Sequence, residues 1–243
     1  MAMWRNTKDG TDEAINLYEQ AVALDSQFAP AYAGVASGLN QRINQQWSAS
    51  PASDMSRAME CARHALSLNP EDHTTLVRIA WVFSLVGGEL ERADSLFAEA
   101  VRLNPNGMET WTFGGFNKLF LGDHQSALEY FHRAIRTSPT DPRRYFAQAG
   151  AALALCFLGD YEGGRKYAVE ALRDHPNYVS GLRIAMACSA FAGDMKAAQE
   201  FYRQFAALAP LERVSDQRKR VTYRREEDYL KLEEGLRLAG MPE

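Results

Sequence analysis

The 243 residues contain only three cysteines, Cys61, Cys156 and Cys188, odd in number, far apart and each in an apolar helical context. This fits neither a disulfide framework nor a CxxC metal site, and it predicts buried free thiols in a reducing compartment. Long apolar runs are also missing. The longest, residues 149–159, falls well short of the ~20 residues that a membrane-spanning helix needs. The opening MAMWRNTKDG lacks the apolar segment of a secretory signal. A soluble, cytoplasmic protein without membrane contact is expected. Charge of one sign is not in excess either, because a net charge of -4 with 24% charged residues offers nothing to attract nucleic acid or anionic lipid. The nearest approach to a basic run is Arg218, Lys219 and Arg220 with Arg224 and Arg225, and Glu226, Glu227 and Asp228 follow directly. It reads as a solvated, charge-paired helix face.

The signatures of chemistry are absent too. Neither GxxxxGKS/T nor GxGxxG occurs, and the pairs Gly87-Gly88, Gly114-Gly115 and Gly163-Gly164 fall at turns or close-packing positions. The five histidines form no HxxxH or HExxH spacing, and the carboxylates are scattered over helix faces. A non-catalytic protein without cofactor or metal is expected.

What the chain does have is a beat. Five of the nine prolines stand at 70, 105, 139, 176 and 210, so that successive differences are 35, 34, 37 and 34, and each closes a similar phrase such as ARHALSLNP or FAEAVRLNP. A proline there ends a helix, having no N–H to donate and a ring that clashes with the preceding turn. Halfway through each period comes Gly88-Glu89, Gly122-Asp123, Gly159-Asp160 or Gly193-Asp194. Glycine can take the left-handed conformation that finishes one helix, and an acidic residue suits the start of the next. Each period is therefore helix, turn, helix, proline. In the second helices Ala127, Phe131 and Ala134 recur as Ala93, Phe97 and Ala100 and as Ala198, Tyr202 and Phe205, an i, i+4, i+7 stripe that permits close approach.

The segment WTFGGFNKLFLGD, 111–123, belongs to a first helix, with Trp111, Gly114, Gly115 and Lys118 on its core side. Together with Ala127, Phe131, Ala134 and Pro139 this resembles the tetratricopeptide repeat (TPR). Gly114 departs from the usual large aliphatic and Lys118 from the usual aromatic. The resemblance implies an all-α fold, a right-handed superhelical solenoid of antiparallel helix pairs, in which Trp111 is a core anchor. The expected organisation is a partial first unit over 1–28, mainly its second helix; five units over 29–72, 73–107, 108–141, 142–178 and 179–212; and a connection and C-terminal capping helix over 213–243. Residues 44–54 read as a long connecting loop that stretches the first full unit, and the half-unit at the start implies that the natural sequence continues upstream. In the tail Tyr229, Leu232 and Leu236 would cover the last repeat. The closing EGLRLAGMPE resembles the C-terminal TPR region of bacterial class III adenylate or guanylate cyclases, and similar regions occur in some bacterial transcriptional regulators.

In a TPR array the first helices line the concave side. At about 100° per residue Phe113, Phe116 and Phe120 lie opposite Trp111, Gly114 and Gly115. The Phe116 position is Trp81, Leu153 and Ala187 in the other units, and the Phe120 position is Leu85, Phe157 and Phe191. Arg78 and Arg183 add anchors for a carboxylate or peptide carbonyls. The candidate protein-binding groove is thus Arg78, Trp81, Phe113, Phe116, Phe120, Leu153, Phe157, Arg183 and Phe191. Two readings stand: a regulatory module that takes a protein or peptide segment, from a partner or from its own full-length chain, and a scaffold that self-associates as a homodimer. The Phe120 column near the helix ends also fits an ordinary packing ladder. The Lys-Asn-Arg clamp by which some TPR domains hold acidic chaperone tails has no counterpart here.

Overall fold

The computed structural model describes residues 7–219 and 221–243. Two compact units form, divided after Asn106. The first holds α1 (Lys8–Leu24), α2 (Ala29–Asn44), α3 (Pro51–Ser67), α4 (His73–Leu85) and α5 (Leu90–Leu103). The second holds α6 (Met108–Phe120), α7 (His124–Thr137), α8 (Arg144–Leu158), α9 (Tyr161–Asp174), α10 (Val179–Phe191) and α11 (Met195–Leu208), then a 3-10 turn (Val214–Lys219) and α12 (Glu226–Leu238).

Sequence pattern accounts for the helix pairs. The second helices bury a narrow stripe, Ala93, Phe97 and Ala100 in α5 and Ala127, Phe131 and Ala134 in α7, and leave charge on the other side. Phe131 is fully buried between α6 and α8 because both have glycine opposite it: a methyl at Gly115 would stand 2.8 Å from its ring, and one at Gly150 would meet the same ring. The turns follow the expected chemistry, with Gly88, Gly122, Gly159 and Gly193 all at positive φ between +62° and +89°. The acidic residue that follows does more than complement the helix dipole. Asp123, Asp160 and Asp194 accept a backbone hydrogen bond from the third residue of the next helix, whereas Glu89 makes no such side-chain bond. Asp160→Ala is expected to cost about 1 kcal/mol. Urea denaturation checks this, and an unchanged midpoint would refute it.

Three local readings change. The loop expected over 44–54 shrinks to residues 45–50, since Pro51 opens α3 at a position where proline is preorganised for a helix. Ser48 Oγ donates to Asp54 at 2.7 Å and Gln46 takes a left-handed φ of 58°, which closes the short connection. Cys156 and Cys188, distant in sequence, are brought together because α8 and α10 pack side by side; Cys156 beside it and burial push the Cys188 thiol well up, and its Sγ donates to the Ala152 carbonyl at 3.9 Å. Cys61 is only half-buried. Trp111 is half-buried rather than a deep anchor, its ring edge-on to Tyr130 at 4.9 Å with the Arg133 guanidinium over it at 5.7 Å.

Candidate protein-binding faces

In the first unit, α4 buries Thr75, Leu76, Val77, Ile79, Ala80, Val82, Phe83 and Ser84. Of its remaining residues, Thr74, Arg78, Trp81 and Leu85 are half-exposed at i, i+4, i+7 and i+11, within an arc of about 60°. In the neighbouring α2 Pro30, Ser37 and Gln41 are half-exposed at the corresponding spacing, and Gly34, buried, lies against the Tyr18 ring. The Arg78 guanidinium carbon stands 5.5 Å from the centroid of the Tyr18 ring, and no carboxylate among the described residues pairs with it. This contrasts with Arg42 on the same unit, which donates to Asp12 at 2.7 Å and lies 3.6 Å from Asp54.

The second unit treats the equivalent columns differently. Phe116 is 8% exposed and packs on Phe131 at 4.9 Å, on Phe146 at 4.7 Å and on Phe120 at 6.1 Å. Phe113 is half-buried with its ring edge toward Phe146. Leu153 and Phe157 are buried, and Phe191 is half-buried, stacked on Tyr161 at 4.8 Å. Arg183 is buried and donates to Glu212 at 2.5 Å and to Ser180 Oγ at 2.8 Å, so its charge is already answered. Of the nine candidate residues, then, the structure places Arg78 and Trp81 together on one half-exposed face. Phe116, Phe120, Leu153, Phe157 and Arg183 are covered by the chain itself.

Much of the cover at the helix ends is the tail. Tyr223, buried, sits between Phe120 at 5.8 Å and Phe157 at 5.6 Å, and burial pushes its phenol pKa up. The neighbouring amide of Arg224 donates to the Phe120 carbonyl at 2.8 Å. His124 Nε2–H donates to Asp228 at 2.9 Å, the two side chains being 5% and 4% exposed. Lys231 Nζ donates to the Phe157 carbonyl at 3.0 Å. Gly235 lies against Ala187 and Phe191, where a methyl would stand 2.7 and 2.8 Å away. Thus α12 does not stack on α11 as a further repeat would; it lies along α10, and the segment before it reaches the ends of α6 and α8. Arg218 ties the 3-10 turn to it through Glu226 and Glu233, and Lys219 and Arg225 pair with Asp216 and Glu227, as the charge pattern led one to expect. Arg220 lies outside the described residues. Sequence reasoning missed Tyr223 and took Asp228 for a solvated residue. A glycine in the middle of α12, at Gly235, was the available signal of a close helix contact.

Among the described residues no three histidines, cysteines or carboxylates cluster as metal ligands, and no helix is long and apolar enough to cross a membrane.

No protein-family model matches the chain. Superkiller protein 3 of Saccharomyces cerevisiae is 29% identical over 119 residues, which is 45% of this chain and 8% of that protein. A chain of the APC/C hetero-tetramer Cut9–Hcn1 superposes with a TM-score of 0.70 at 14% identity, over 95% of this chain and 39% of that one. YrrB, a TPR protein with an unusual peptide-binding site, superposes with a TM-score of 0.51 at 18% identity, over 80% and 93%. The chain spans less than half the length of the first two. Its fold is the all-helical, TPR-like repeat.

Proposed function

We propose that the protein is a non-catalytic interaction module whose α4 face binds an extended or helical protein segment. The observation that carries this is Arg78, a half-exposed cation without a carboxylate partner among the described residues, one helical turn from the half-exposed Trp81 on a helix that buries eight of its 13 residues. A segment presenting a carboxylate and an apolar side chain about one turn apart matches this pairing of a cation with an aromatic. That YrrB carries a peptide-binding site on the same fold agrees with this reading. The closing EGLRLAGMPE extends it: by its resemblance the module is the regulatory part of a cytoplasmic bacterial signalling protein such as a nucleotide cyclase.

Panning a displayed peptide library on the whole protein tests the proposal. The expected result is enrichment of sequences that pair Asp or Glu with an aromatic or large aliphatic residue. Arg78→Ala should weaken the selected peptide about tenfold by fluorescence anisotropy, equivalent to ~1.4 kcal/mol, with the melting midpoint nearly unchanged. Peptides that bind Arg78→Ala and Leu85→Ala as tightly as the unsubstituted chain would remove the α4 face from consideration. The self-association reading is separable, since a strict monomer at high concentration in sedimentation velocity refutes it.

A further inference from the structure

The geometry points to a second segment-binding site, in the unit from Gly107 to Glu243, which the chain's own tail occupies and which a partner segment of the same chemistry takes in its place. This goes beyond the α4 reading and stands or falls separately, because it involves a different unit and different residues.

The tail is held there the way a bound peptide is held. Its aromatic, Tyr223, inserts between two rings, Phe120 and Phe157. Its backbone meets the Phe120 carbonyl at the end of α6 through the Arg224 amide, and the Arg225 guanidinium reaches the Gly122 carbonyl at 3.5 Å. A second cation, Lys231, takes the carbonyl of Phe157 near the end of α8. Helix C-termini leave such carbonyls without intrahelical partners and carry partial negative charge, so they select cations. One carboxylate, Asp228, meets His124 out of solvent. A small residue, Gly235, then lets the tail helix close onto Ala187 and Phe191.

These contacts define a ligand: an aromatic residue, basic residues directly after it, a carboxylate five residues on, a lysine eight on and a small residue twelve on, the latter half helical. α12 covers the last repeat by packing on α10, and the segment before it goes further: Tyr223, Arg224 and Arg225 reach the ends of α6 and α8. Residues 209–213 join the tail to α11, with Leu211 84% exposed and Glu212 fastened to Arg183 of α10 by a buried ion pair. A tethered segment competes at an effective concentration on the order of millimolar. A partner in trans is therefore excluded until the tail is weakened, and the apparent affinity scales with the fraction of chains whose tail is released.

The probe is a dye-labelled synthetic peptide of residues 221–241, titrated by fluorescence anisotropy against the full chain. The Tyr223→Ser/Asp228→Ser chain should keep its helical circular dichroism and bind the peptide at least tenfold more tightly than the unsubstituted chain. Lys231→Ala, a milder change, should give a smaller gain. Adding His124→Leu to the doubly substituted chain should reverse the gain and so locate the peptide on this face. Equal peptide affinity for the unsubstituted and doubly substituted chains overturns the proposal. Loss of the helical signal in both the double variant and Lys231→Ala also overturns it, because the tail would then be part of the core.

Discussion

Phe131→Ala should lower the stability of the second unit by about 3–5 kcal/mol, the range for deleting a core aromatic, and bring its melting midpoint down by on the order of 10 °C. The ring is fully buried and touches Phe116 at 4.9 Å. It fills the space that Gly115 on one side and Gly150 on the other leave open, so its removal strands a cavity between three helices. The same substitution at Trp111 should cost less, about 1–2 kcal/mol, since that ring is half in solvent and gives up mainly its contacts with Tyr130 and Arg133. Guanidinium denaturation of the two variants side by side checks the order. If Trp111→Ala proved the more damaging, the core would have to be centred on the first helix rather than on the second-helix aromatic.

Glu212→Ala is expected to destabilise the same unit by a similar amount, about 3–5 kcal/mol, through charge rather than volume. Arg183 and Glu212 have side chains only 9% and 7% exposed, and Gln217 also donates to Glu212, at 3.2 Å. Removing the carboxylate leaves a guanidinium out of water without the group that offset its desolvation. The pair itself contributes far less than that loss implies. Arg183→Met with Glu212→Leu removes both charges at once and should recover most of the stability, so that the two single effects greatly exceed the double one. A cycle that came out additive would mean that water reaches Arg183 and screens it. This result also bears on the tail, since Glu212 lies in its connection to α11 and the pair fastens that connection to α10.

The repeat, the helix boundaries and the packing of second helices were written in the sequence because they depend on local rules with short reach. A proline ends a helix wherever it stands, a glycine takes positive φ wherever a turn demands it, and a stripe at i, i+4, i+7 faces one way on any helix. Asp123, Asp160 and Asp194 cap for the same reason, as acceptors positioned by three residues of backbone. The faces of the first helices follow no such rule. Periodicity put Arg78, Trp81, Phe116, Phe120, Leu153 and Phe157 at matching positions of their own helices, but whether each position is open depends on what arrives from elsewhere in the chain. In the second unit the arrivals are Tyr223, Asp228 and Gly235, about a hundred residues after Phe120 and His124, and their contacts depend on the path of a connection that no helical period describes. In the first unit Thr74, Arg78, Trp81 and Leu85 stay half-exposed on a helix whose other residues, His73 apart, are buried. By itself the sequence determined that this protein is built of helix pairs whose first helices carry apolar residues on both faces. Only the tertiary structure decided where those faces are filled from within, because burial is a property of two surfaces meeting and a sequence pattern describes one of them.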